Sequence, residues 1–194
     1  MKSPLIQIKN LHISFLAAET PSVATTLEPF AVKRSSAVDS ATSVPALGEF
    51  WPGQGGHNGG LVAAHGNVAA HYLIIAAKDV GSHEWGERGS ESQATSKRDG
   101  FANTVTLMEG DHPAAKAATG YTADGHDNFY LPAAAELYHC WLNAPDLFAK
   151  DTWYWSSTQR SAHLAFYMYF DGGFQLNFGK NDGLRVRPVR RLFI

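Results

Sequence analysis

Apolar positions along this chain fall into short runs separated by glycine-rich turns, a pattern of strands more than of long helices. Residues 164–170 are almost wholly apolar and aromatic, the composition that suits a pleated, half-buried surface. Asp171-Gly172-Gly173 follows as a hairpin turn signal, and residues 174–178 return as a second short strand. Trp153-Tyr154-Trp155-Ser156-Ser157-Thr158 opens this group, and after the loop 179–183 the stretch 184–191 reads as one closing strand with Pro188 at an edge or strand end. Residues 72–77 are apolar throughout and predict a central strand covered on both faces.

Helical signals lie between these runs. Residues 103–108 begin a helical stretch that Gly110-Asp111-His112-Pro113 interrupts; Pro113 restarts it and Gly120 closes it. A second and better helix covers 132–142, with Pro132 in its first turn, Glu136 near its positive end, and Leu137, Cys140 and Trp141 on a buried stripe. Trp153 and Trp155 join that stripe as the expected core. Residues 1–16 alternate partially and predict a strand, and 17–45, rich in Ser, Thr, Ala and Val with scattered Pro, predict extended chain. The expected organisation is an N-terminal extended arm, 1–47, ahead of a domain at 48–194; the arm either packs on that domain or, as the alternative, serves attachment or homo-oligomerisation. The class is α+β, with two helices and small antiparallel sheets.

With Gly172-Gly173 as a two-residue loop, Asp171 faces Phe174, Tyr169 faces Leu176 and Tyr167 faces Phe178. If Phe166, Met168 and Phe170 point inward, the other face presents Tyr167, Tyr169, Phe174, Leu176 and Phe178. This is an aromatic patch larger than a monomer ordinarily leaves open. Burial under the N-terminal arm or another subunit is the competing explanation. Arg160, His163, Asn177, Asn181 and Asp182 are the expected polar rim.

Composition narrows the chemistry. With 194 residues, 44% hydrophobic and 18% charged, the chain can bury a sizeable core. A net charge of -2 gives no electrostatic reason to expect nucleic acid, and the four arginines 185, 187, 190 and 191 read as a solvated strand face. Cys140 is the one cysteine, so no intramolecular disulfide forms and a reducing cytoplasm is the expected site of synthesis. Residues 5–16 are too polar and short for a membrane span or signal core.

Candidate catalytic sets are incomplete. The glycine-dense stretch 48–60 lacks the Gly-Lys-Ser/Thr ending of a phosphate cradle, so tight turns beside buried Phe50 and Trp51 account for it. His83-Glu84-Trp85-Gly86-Glu87 lacks a zincin's second histidine. Cys140 and His139 are adjacent on a helix and point apart, and no Gly-x-Ser-x-Gly elbow is present. His57, His65 and His71 would make a metal site only by converging. The expectation is a non-enzyme with no cofactor and no metal.

The Trp-Ser-Ser turn, aromatic strand, glycine hairpin and terminal Val-Arg-Pro-Val-Arg resemble the Lcl C-terminal-like family of C-type-lectin-fold domains. Trp51-Pro52-Gly53-Gln54-Gly55-Gly56, Asn103-Thr104 and Leu131-Pro132-x-x-x-Glu136-Leu137 are similar to the same family, so the resemblance covers about residues 48–194. It implies a C-type-lectin-like binding domain of phage or prophage proteins, in a region that diversity-generating retroelements rewrite in relatives. The calcium motifs of sugar-binding lectins are absent from the sequence. The expected protein is a tail-associated receptor-binding component of a virion. Its expected partners are a protein or glycan receptor on a bacterial surface and other tail proteins, without membrane insertion. The alternative is a structural virion or surface-assembly subunit.

Overall fold

The computed structural model describes residues 43–194. The strand expected over residues 1–16 and most of the arm fall outside the described residues. The described chain runs β1 (Phe50–Trp51), β2 (Gly56–Val62), β3 (His71–Ala76), β4 (Ser82–Glu84), α1 (Gly100–Leu107), α2 (Pro113–Thr119) and α3 (Ala134–Asn143). A 3-10 turn at Pro145–Leu147 leads to β5 (Trp153–Gln159), β6 (Leu164–Tyr169), β7 (Phe174–Gly179), β8 (Gly183–Arg185) and β9 (Val189–Phe193). The class is α+β, and Cys140 is buried and unbridged.

The expected first helix is two helices, so there are three α-helices among the described residues. Pro113 disfavours helical geometry at the residue before it, and His112 has φ -119° and ψ 87°. Helix α1 ends at Leu107, with Met108 as its C-cap, and α2 starts afresh, while Asp99 caps the start of α1 by accepting the Ala102 N–H at 3.0 Å. In α3 the Glu136 carboxylate reaches back to the Ala133 N–H at 2.8 Å. It covers one of the donors that a helix start leaves unpaired.

One sheet has the order β1-β2-β3-β9 and the other β4-β8-β5-β6-β7. All strand pairs are antiparallel except β5 with β8, which makes the second sheet mixed. As the apolar run predicted, β3 is central, and Leu73, Ile74, Ile75 and Ala76 are fully buried. The closing stretch is not one strand. It contributes β8 to one sheet and β9 to the other, and Pro188 sits at the crossing, where it has no N–H to donate while its carbonyl accepts from Ala76 at 2.9 Å.

Strand β5 joins two cores because successive side chains point to opposite faces. Tyr154 packs with Leu73, Ile75, Leu137, Cys140, Met168, Phe170 and Val189. Trp155 packs with Trp85, Leu107, Ala115, Leu131, Ala165 and Leu184. Several core expectations need correction: Trp141 and Phe166 are half-buried, Trp153 and Phe50 are exposed, and Trp51 is half-buried with its ring edge-on to Tyr72.

The terminal arginines are not a solvated face. Arg187 and Arg190 are buried; Arg187 pairs with Asp79 at 2.8 Å, and the Arg190 guanidinium donates to the Gln54 carbonyl at 2.8 Å. Arg191 pairs with Asp99 at 2.9 Å and with Glu136 at 3.0 Å. Buried cations require such partners.

Candidate recognition face

The face is built on a rigid polar segment. Residues 156–159 are buried, and their irregular register with β6 frees their polar groups for other loops. The Ser156 carbonyl accepts the Trp85 indole N–H at 2.9 Å, and the Ser156 hydroxyl donates to the Phe166 carbonyl at 2.8 Å. Ser157 N–H donates to the Pro132 carbonyl at 2.8 Å, and the Thr158 hydroxyl to the Ser96 carbonyl at 2.8 Å. Gln159 Oε1 accepts the Lys180 ammonium at 2.7 Å. Buried polar groups left without such partners would each cost about 1–3 kcal/mol, so this segment fixes both the loop 85–97 and the base of the hairpin.

The hairpin register differs from the expected one. Tyr169 faces Phe174, Tyr167 faces Leu176 and Ala165 faces Phe178, so residues 170–173 form a four-residue turn. Phe170 explains the change. Its ring stacks on Phe148 at 3.8 Å and lies edge-on to Tyr154, so the residue drops into the core instead of extending the ladder. The Trp141 indole N–H donates to the Phe170 carbonyl at 3.2 Å, and Gly173 adopts φ 70° directly beneath that ring. A side chain at Gly173 would be strained in φ and would meet the indole at 2.5 Å.

The pairing shift is two residues, which equals the side-chain period of a strand, so the faces are retained. Phe174, Leu176 and Phe178 are 62%, 56% and 42% exposed, with half-buried Tyr167 and Tyr169 beside them. Trp153 joins them at 44% exposure; it lies opposite Tyr169, with its ring 6.1 Å from both Tyr167 and Phe178. Tyr167 and Phe178 are themselves edge-on at 6.1 Å. Sequence reasoning put Trp153 in the core. The available signal was its place at the strand's start, after polar Asp151 and Thr152, where the sheet ends before the core closes over it.

Four expected rim residues gather at the Phe178 end. The β5–β6 turn and the β7–β8 turn touch there: Lys180 N–H donates to the His163 carbonyl at 3.1 Å, and Arg160 N–H to the Leu164 carbonyl at 2.9 Å. Arg160, His163 and Asn181 are exposed and Asp182 is half-buried. Asn177 alternates to the opposite face from Phe178, opposite Phe166.

Away from the face, ionisable groups are engaged within the fold. Glu136 accepts from Tyr130, Arg191 and the Gly100 N–H at 2.8, 3.0 and 3.1 Å. Burial pushes its carboxyl above the usual carboxylate range and pushes the Tyr130 phenol well up. Lys180 is buried, donates to the Ser90 carbonyl at 2.7 Å and lies 4.6 Å from the Trp85 ring; burial lowers its pKa. The Cys140 thiol is likewise pushed up by burial.

His57 bonds the Gly48 carbonyl through Nδ1 at 3.0 Å, and His71 is buried on the Ala69 carbonyl at 2.8 Å. His65 instead lines a cavity of about 240 Å³ with Arg98, Glu136 and His139. Among the described residues no three His, Cys, Asp or Glu side chains are grouped to hold a metal ion, and no helix is long and apolar enough to cross a membrane. No family model matches this chain, and no curated protein matches it.

Proposed function

We propose that residues 48–194 form a C-type-lectin-like binding domain and that the chain is a ligand- or receptor-binding protein, tail-associated in a phage or prophage. Its partner is a protein or glycan receptor on a bacterial surface. The observation that carries the binding reading is the open aromatic face of Trp153, Tyr167, Tyr169, Phe174, Leu176 and Phe178. Contiguous apolar surface rimmed by polar residues marks an interaction site. Aromatic side chains give wide contact area at little rotamer cost.

The fold assignment is supported by the α+β class and the small sheets of a domain whose Trp-Ser-Ser strand is its structural hub. The phage setting rests on the sequence resemblance, as does diversification of the face by a retroelement.

Whole bacterial cells of a diverse strain panel are the probe, read by flow cytometry with fluorescent protein. Wild type is expected to label a subset of strains. The Trp153→Ala/Phe178→Ala protein is expected to lose at least about tenfold in affinity, since anchors at the centre of an interface carry about 2 kcal/mol or more, while remaining folded by circular dichroism. Equal labelling by the double variant would overturn the assignment of the face.

A further inference from the structure

Strand β7 is an edge of the five-stranded sheet, paired among the described residues only with β6. Edge strands expose unpaired N–H and C=O groups and are ordinarily protected by charges, proline or bulges. Residues 174–179 contain no charged residue and no proline, and β7 pairs with β6 without a bulge. Phe174, Leu176, Asn177 and Phe178 are all exposed. The sequence here has a further property. Gly173-Phe174-Gln175-Leu176-Asn177-Phe178-Gly179 reads the same in both directions when Gln and Asn are taken as equivalent amides.

A palindromic strand is complementary to its own antiparallel copy, which is what a two-fold interface requires of a surface. We infer that this protein forms a two-fold homodimer by antiparallel pairing of β7 with β7 of a second copy, the axis passing through Leu176. Phe174 then lies opposite Phe178 of the second copy, Leu176 opposite Leu176, and Gln175 opposite Asn177. Glycines 173 and 179 fall opposite each other at the ends. Directly opposed side chains share a face, so all six apolar side chains meet on the aromatic side. No like charges are brought together within the paired segment.

The area sets the strength. Taking about 200 Å² for a large side chain, the exposures of 62%, 56% and 42% at Phe174, Leu176 and Phe178, the face residues on the paired strand, correspond to roughly 300 Å² of open side-chain surface per copy. That is less than half the ~800 Å² per partner of a standard stable interface. The strand pairing adds backbone hydrogen bonds, so the dimer is a reversible one that forms at micromolar or higher concentration. It joins two sheets of five strands edge to edge and sets two aromatic faces side by side. The inference goes beyond the receptor-binding reading and needs no ligand.

Sedimentation velocity from about 1 μM to about 1 mM, a range that brackets weak interfaces of this size, tests it on the full chain. Wild type is expected to pass from monomer to dimer. Leu176→Lys and Leu176→Glu each oppose two like charges across the axis and should weaken dimerisation at least tenfold, with an unchanged melting temperature because the residue is exposed. Mixed in equal amounts, the two variants should recover a dimer, since Lys then faces Glu. A wild type that stays monomeric throughout, variants that dimerise like wild type, or a mixture that fails to recover would each overturn the pairing. Wild type that labels no strain while still dimerising would count against the receptor reading alone.

Discussion

Trp155→Ala set beside Trp153→Ala asks whether two tryptophans on one face of one strand do different work. Trp155 is fully buried and its indole N–H donates to the His83 carbonyl at 2.9 Å. Removing a buried Trp costs about 3–5 kcal/mol, cavity included, and the stranded carbonyl adds about 1 kcal/mol or more. Trp153, 44% exposed, buries little over half as much area and leaves a surface notch instead of a closed void. Its truncation should cost about 1–2 kcal/mol. At about 2–4 °C per kcal/mol for a domain of this size, Trp155→Ala should lower the melting temperature by more than about 10 °C or prevent folding. Trp153→Ala should lower it by roughly 2–8 °C. Thermal unfolding by near-UV circular dichroism, with urea midpoints as a second measure, separates the two. Equal losses, or a larger loss at Trp153, would refute the account of which core β5 feeds.

Two further outcomes follow from buried charge. Arg191→Met leaves Glu136 buried without its cation and should destabilise by about 3–5 kcal/mol, with Glu136→Gln in the same chain recovering part of the loss; strictly additive urea midpoints would contradict the coupling. His71, His112 and His139 all have pKa values lowered, chiefly by burial. The folded state thus binds fewer protons than the unfolded one, so stability is full above the unfolded value near 6.5 and is lost as pH falls below it. The melting temperature should decline from about pH 6.5 downward, and a flat profile between about pH 6.5 and 5 would contradict it.

The α+β class, the central position of β3, the helix carrying Leu137 and Cys140, and which side chains of the hairpin share a face were legible in the sequence. They depend on periodicity, which survives small errors. The hairpin register was not legible, because the decisive contact is Phe170 stacking on Phe148, a residue far away in sequence. The error did no harm to the face only because it was an even number of residues. The arginines were misread for a related reason: a charged run looks solvated until partners such as Asp79, Asp99 and Glu136 are brought to it by the fold. Trp153 was lost by treating a strand end as a strand middle.

The split of the closing stretch at Pro188 bears on how the domain is made. Strand β8 lies between β4 and β5, and β9 lies against the otherwise open side of β3, so neither sheet is complete until residues 183–193 have been synthesised. During translation, Asp79, Asp99 and Glu136 wait without the arginines that neutralise them, and the apolar strand β3 waits without cover. Domains dominated by such distant pairings fold slowly and are most exposed to aggregation before closure. A ribosome stalled before Gly183 would therefore hold an unclosed chain, and the step that ends its vulnerability is the arrival of one short arginine-bearing segment in two sheets at once.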